Sequence, residues 1–140
     1  MKKILLLSIL LLLNLLSQAQ NVTSDKIHTL LSYNDLPSIK KLLISDGFVY
    51  KLEEKGGIKM NMFKKDNETL TISIENDIYT LVYITDSYNR FNKIKSDYKT
   101  DDMVYKSSYK NNDYYVNNEF MLGINDINKV LSFFIKIKHN

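Results

Sequence analysis

Cysteine is absent from all 140 residues. Its absence excludes disulfide staples, thiolate nucleophiles and cysteine-based metal sites. Tryptophan is also absent, and histidine occurs twice, at His28 and His139. His28 falls beside the apolar positions of a short helical stretch and His139 is next to last, so neither joins a convergent catalytic set. The chain has no His-x-x-x-His pair, no G-x-S-x-G elbow and no phosphate-binding glycine loop. The acids Asp101-Asp102 point to opposite sides of an extended segment, which prevents them from working as a glycosidase pair with each other. Asn125-Asp126-Ile127-Asn128 offers oxygen ligands but lacks the spaced carboxylates and glycine of a calcium loop, and reads as a hairpin turn. No enzymatic activity, cofactor or metal is expected from these residues. One proline and four glycines are too few for a linker-rich or disordered chain.

What is present begins with a targeting pattern. Lys2-Lys3 is followed by an apolar run over residues 4–16, then Ser17-Gln18-Ala19, with small residues at both positions a signal peptidase reads. Thirteen apolar residues make a helix of ~20 Å, short of a hydrocarbon core of ~30 Å. Residues 1–19 are therefore expected to be a cleaved signal peptide, with residues 20–140 exported to the periplasm or beyond as a single domain. No cysteine follows the run, which excludes lipid attachment there. Removing Lys2 and Lys3 leaves 17 basic against 16 acidic residues, a net charge of +1. So balanced a chain carries no electrostatic footprint for nucleic acid or anionic lipid. No further transmembrane segment is expected.

Three amphipathic helices can be read. Residues 24–33 place Ile27, Leu30 and Leu31 on one stripe. A second helix starts at Leu36-Pro37, capped by Asp35, with Ile39, Leu42 and Leu43 inward and Gly47 ending it. Residues 87–100 carry Tyr88, Phe91, Ile94 and Tyr98, with Ser87 as cap.

Between and after them lie two meanders. Residues 70–84 form a hairpin about Asn76-Asp77, two residues that tolerate positive φ. Its register puts Leu70, Ile72, Ile74, Tyr79, Leu81 and Tyr83 on one face and Thr69, Thr71, Ser73 and Thr80 on the other. A three-residue loop at Lys55-Gly56-Gly57 pairs Leu52 with Met60 and Tyr50 with Met62. A loop at Asp66-Asn67-Glu68 pairs Met62 with Ile72 and Met60 with Ile74. In the second meander, Asn111-Asn112 is a turn, and the four residues 125–128 pair Leu122 with Leu131 and Phe120 with Phe133. Asn117-Asn118 is a further turn signal that pattern alone leaves open.

The fold class is α+β: an antiparallel meander sheet with helices on one face. Helix plus meander occurs twice, over 35–85 and 87–138, and Val49-Tyr50-Lys51 recurs as Val104-Tyr105-Lys106. A tripeptide match also arises by chance, so duplication and coincidence both stand. In order of elements the chain resembles exported β-lactamase-inhibitor-like and PepSY-like domains, which bind other proteins. The resemblance is one of architecture and carries no residue across.

The face turned away from the helices is the functional clue. These registers give it Val49, Phe63, Ile78, Val82, Ile84, Val104, Tyr115, Met121, Val130 and Phe134 among Thr, Ser, Lys and Asn. That is more apolar than a solvated face requires, and such patches mark interaction sites. Phe63, Tyr115, Met121 and Phe134 are the binding candidates, for a protein or peptide partner. The tyrosines 105, 109, 114 and 115 cluster near one hairpin, where ordinary strand preference accounts for them. The alternative function is a small-ligand or lipid carrier with its cavity between helices and sheet.

Overall fold

The computed structural model describes residues 21–33 and 35–137. The signal peptide read over 1–19, Asn34 and His139 lie outside the described residues.

The helices form where their caps and apolar stripes agree. In α1 (Ser24–Ser32) the Thr23 hydroxyl accepts the Lys26 N–H, and Ile27 and Leu30 are fully buried. In α2 (Leu36–Ser45) the Asp35 carboxylate accepts the Ser38 N–H at 2.7 Å, satisfying one of the amides that a helix start leaves unpaired. Pro37 lies in its first turn, Ile39 and Leu43 are buried, and Gly47 leads the chain out at φ +86°. In α3 (Tyr88–Tyr98) the Ser87 hydroxyl accepts the Arg90 N–H, and Phe91 and Ile94 are buried. Tyr88, expected on that stripe, is 68% exposed. The first turn of α3 is held by Arg90 instead, through an ion pair to the sheet.

Eight strands follow from the hairpins: β1 (Val49–Lys55), β2 (Ile58–Lys65), β3 (Glu68–Glu75), β4 (Ile78–Thr85), β5 (Val104–Tyr109), β6 (Asn112–Val116), β7 (Met121–Asn125) and β8 (Val130–Lys136). They make one antiparallel sheet in the order β1-β2-β3-β4-β8-β7-β6-β5. Each meander is thus a run of neighbouring hairpins, and the two runs meet where β4 pairs with β8. The Val-Tyr-Lys tripeptides open β1 and β5, the two sheet edges.

All three helices contact the same face. The Tyr79 hydroxyl donates to the Leu30 carbonyl, Lys40 stands over the Tyr50 ring, and Tyr98 meets Phe133 edge-on at 4.9 Å. Beneath them Phe63, Leu70, Ile72, Leu81, Tyr83, Leu122, Leu131 and Phe133 are fully buried. Burial pushes the Tyr79 and Tyr83 phenols well above their ordinary range, and Tyr98 up to about 12.

The registers agree with expectation in one hairpin and depart in the others. Ile74 pairs with Tyr79 and Leu70 with Tyr83, with Asn76 and Asp77 at φ 49° and 62°. Ile74 shares the helix-facing side but lies beyond the helices and is exposed. The β1–β2 turn is the two residues Gly56 and Gly57, both at positive φ, so Tyr50 pairs with Phe63 and Leu52 with Asn61. That one-residue slip, repeated at β2–β3 where Asn61 pairs with Ile72, turns β2 over. Phe63 faces the helices, and Met60 and Met62 face away. The β5–β6 turn is Lys110 and Asn111 rather than Asn111-Asn112. Asn117 does turn the chain between β6 and β7, its side-chain oxygen accepting the N–H groups of Glu119 and Phe120. Leu122 pairs with Phe133 and Ile124 with Leu131, a two-residue shift that keeps every side chain on its expected face.

Ile72 is fully buried, with Asn61 and Leu81 as its strand partners, while Thr71 is half-buried on the other face. Ile72→Ala is expected to cost ~2–5 kcal/mol of stability and Thr71→Ala under ~1 kcal/mol. Urea denaturation of both variants checks this; equal losses or the reverse order contradict the assigned faces.

Candidate functional site

The face opposite the helices is left uncovered by the described elements. Strand alternation and the observed registers place its side chains in rows across the sheet. One row runs Thr71, Val82, Ser132, Gly123, Tyr114 from β3 to β6. The next runs Thr80, Phe134, Met121, Val116, Val104 from β4 to β5. A third holds Thr69, Ile84, Val130 and Asn125. These inner rows contain no charged side chain; Lys51, Glu53, Lys55, Lys64, Glu75 and Lys136 stand at the ends and edge. Val49 and Val104 are 72% and 66% exposed, whereas Met121, Phe134, Tyr114 and Val116 are half-buried against one another.

An aromatic patch sits within these rows. Gly123 lacks the side chain that would fill its place, and the Tyr114 ring lies across it: a Cβ there would stand 3.0 Å from the ring. The Tyr114 ring is 6.3 Å from that of Phe134, whose direct strand partner is Met121. Of the four residues expected on this face, Met121 and Phe134 are there. Phe63 is not: it is fully buried beneath the helices, its ring 5.2 Å from Tyr50. Tyr115 is not either: it pairs with Leu122 on the helix side, edge-on to Tyr105 with Lys99 over its ring. Tyr114, Met60 and Met62 belong to the surface in their place. A two-residue turn at Gly56-Gly57, which both glycines suit, is the signal that would have placed the methionines.

Among the described residues the centre of the space between helices and sheet is occupied by side chains, Leu30, Leu43, Phe63, Leu81, Phe91 and Phe133 among them, and a small concavity of about 270 Å³ beside Leu31, Phe120 and Ile135 opens at its margin. The larger concavities are surface clefts. One of about 560 Å³ runs between residues 21–25 and α3, lined by Val22, Ser24, Arg90, Lys93 and Asp97. Two of its lining residues, Val22 and Arg90, belong to a charged cluster that the sequence did not disclose. Glu68 is 3% exposed; its Oε1 accepts the Tyr83 O–H at 2.6 Å and pairs with Arg90 at 2.8 Å, and its Oε2 accepts the Val22 N–H at 3.1 Å. Burial lowers the Arg90 guanidinium's affinity for its proton, but the hydrogen bond and charge of Glu68 outweigh it and hold the pKa above its ordinary value. Both carboxylate oxygens are occupied, so this is a clamp joining the N-terminal segment, β3, β4 and α3. Among the described residues no group of three or more His, Asp or Glu is placed to hold a metal ion.

No family model, curated protein or solved structure matches the chain.

Removing one partner of a buried ion pair strands the others, at a cost of ~3–5 kcal/mol. Glu68→Ala is expected near the lower end of that range, because Arg90 can turn to water, and Glu68→Gln is expected to lose less. Chemical denaturation measures both. A loss below ~1 kcal/mol for Glu68→Ala would show that the clamp is not a stabilising element.

Proposed function

We propose that this protein is an exported, non-enzymatic binding module that receives a protein partner on the open face of its sheet. The observation that carries the reading is the set of charge-free inner rows around Tyr114, Met121 and Phe134, with lysines and Glu75 at the margin. An apolar centre with a polar rim is the anatomy of a protein-recognition surface, and tyrosine is among the residue types enriched where binding energy concentrates. The occupied centre of the interior favours this reading over a small-ligand carrier. A partner surface rich in apolar and hydroxyl groups fits it best, since a charged one would lose its hydration over the central rows without finding a counter-charge.

The four original candidates now separate by face. Phe63→Ala is expected to cost ~3–5 kcal/mol of folding stability. Phe134→Ala and Met121→Ala, at half-buried positions, are expected to lower the melting temperature much less than Phe63→Ala does and to weaken a partner about 30-fold, the equivalent of ~2 kcal/mol. Tyr115→Ala, on the helix side, should leave that binding intact. The check is capture from envelope fractions with wild-type and variant proteins side by side. A partner held equally by wild type and by Phe134→Ala places binding elsewhere, and a large drop in the melting temperature of Phe134→Ala makes the open face part of the core.

Export is the companion proposal. It rests on the basic start, the apolar run and Ser17-Gln18-Ala19. The intact mass of protein from its native host is expected to lack the first nineteen residues. A dominant full-length species would overturn it.

A further inference from the structure

Among the described residues the sheet ends in two strands whose outer backbone edges no other strand pairs with, and they differ. On β5, pairing with β6 slips between Tyr105 and Ser107, and such an irregularity twists an edge away from further pairing. On β1 the register with β2 is unbroken through all seven residues from Val49 to Lys55. A regular edge is a template for another strand. Val49 and Leu52 on it are 72% and 52% exposed.

The charge pattern of β1 selects the strand it accepts. Direct partners in an antiparallel ladder share a face. A two-fold axis that keeps both sets of helices on one side must therefore pass through a residue paired with itself. Centring on Lys51, Glu53 or Glu54 sets a charge against its own copy. Centring on Tyr50 pairs little more than Val49 with Lys51. Centring on Leu52 pairs all seven residues: Val49 with Lys55, Tyr50 with Glu54, Lys51 with Glu53, and Leu52 with itself. Lys51 then meets Glu53 of the second copy, twice by symmetry, on the open face. On the helix face Glu54 of the second copy arrives beside Tyr50, where Lys40 already stands 3.6 Å above the ring. In the single chain Lys51 reaches only its own Glu53, at 2.6 Å in solvent.

We propose that β1 pairs antiparallel with β1 of a second copy about a two-fold axis at Leu52, making a homodimer with one continuous sixteen-stranded sheet. Lys51–Glu53 and Lys40–Glu54 contacts between the copies fix the register. The dimer joins two open faces into one. It stands on the edge and not on what the open face binds, so either reading can fail alone.

The test uses the full chain, expressed with its own N-terminal segment and purified as the host delivers it. Sedimentation or light scattering is expected to give twice the chain mass. Glu53→Lys sets a lysine against Lys51 at two symmetric positions and is expected to weaken the dimer about ten-fold or more. The swap Lys51→Glu with Glu53→Lys restores opposite charges and is expected to restore the dimer, which separates a lost contact from a lost fold. Because the chain has no cysteine, Leu52→Cys introduces its sole thiol. Directly paired Cβ atoms lie about 4.5–5.5 Å apart, near enough to bridge after small adjustment. Mild oxidation is expected to cross-link Leu52→Cys and not Val49→Cys. A monomer at every concentration, or a dimer indifferent to Glu53→Lys, overturns the proposal.

Discussion

The ladder between β4 and β8 is the constraint on which the rest of the molecule depends. It pairs Ile78 with Lys136 through to Ile84 with Val130, and it is the one junction between the two meanders. Every other strand pair is a hairpin between sequence neighbours. The seam sets Tyr79, Leu81 and Tyr83 against Ile135, Phe133 and Leu131. Burying one such large side chain is worth ~1.5–3 kcal/mol, so the row is a large share of what holds the halves together. α3 then covers the seam with Phe91, Ile94 and Tyr98. Without this ladder there would be two small four-stranded sheets, each with a short open face. With it, the rows from Thr71 to Tyr114 run unbroken across the join.

The charged chemistry of the protein is spent on that assembly. Glu68 is the one carboxylate, lysine or arginine among the described residues buried to this degree, and its oxygens are taken by groups from three other parts of the fold. Both oxygens of that carboxylate are tied into the fold, and the neighbouring cleft is lined by two of the groups that hold it, Val22 and Arg90. Asp97, at the other end of the same cleft, is likewise engaged by Lys93 and Ser24, which lower its pKa. The open face inverts this arrangement, with hydroxyls, methyl groups and rings and no charge in the inner rows.

How far the sequence disclosed this fold depended on where polar residues enter the core. The β3–β4 hairpin was fully legible, because Asn76-Asp77 and the alternation of Leu70, Ile72, Leu81 and Tyr83 carry the same message. The helices were legible through Asp35, Ser87 and Gly47. β2 misled because its core-facing positions include Asn61, which is buried only because the Tyr50 hydroxyl donates to its oxygen and its amide reaches the Ile72 carbonyl. Read for hydrophobicity alone, Met60 and Met62 outrank Asn61, and the strand turns over. Glu68 misled in the same way: a carboxylate after Asp66-Asn67 reads as loop until Arg90 and Tyr83 are known to meet it. The exchange of Phe63 for Met60 and Met62 in the candidate surface follows from these polar substitutions, and that of Tyr115 for Tyr114 accompanies the shifted turn at Lys110-Asn111. Where the error was two residues, as at Leu122, the faces survived it.

The tightness of the turns bears on how long such a chain lasts. Four hairpins close through two residues each, at Gly56-Gly57, Asp66-Asn67, Asn76-Asp77 and Lys110-Asn111. The longer turns are tied down by their own side chains, Asn117 holding Glu119 and Phe120, and Asn125 holding Asn128. A protease needs a stretch of backbone it can draw into extended form, and exposed slack in loop tips is where it finds one. These turns give up backbone only when their ladders open. Cleavage within the sheet then depends on the population of opened ladders rather than on access to its turns. In a chain without a single disulfide, what keeps the backbone of the sheet from a protease is its hydrogen-bonded ladders, joined by turns with little slack.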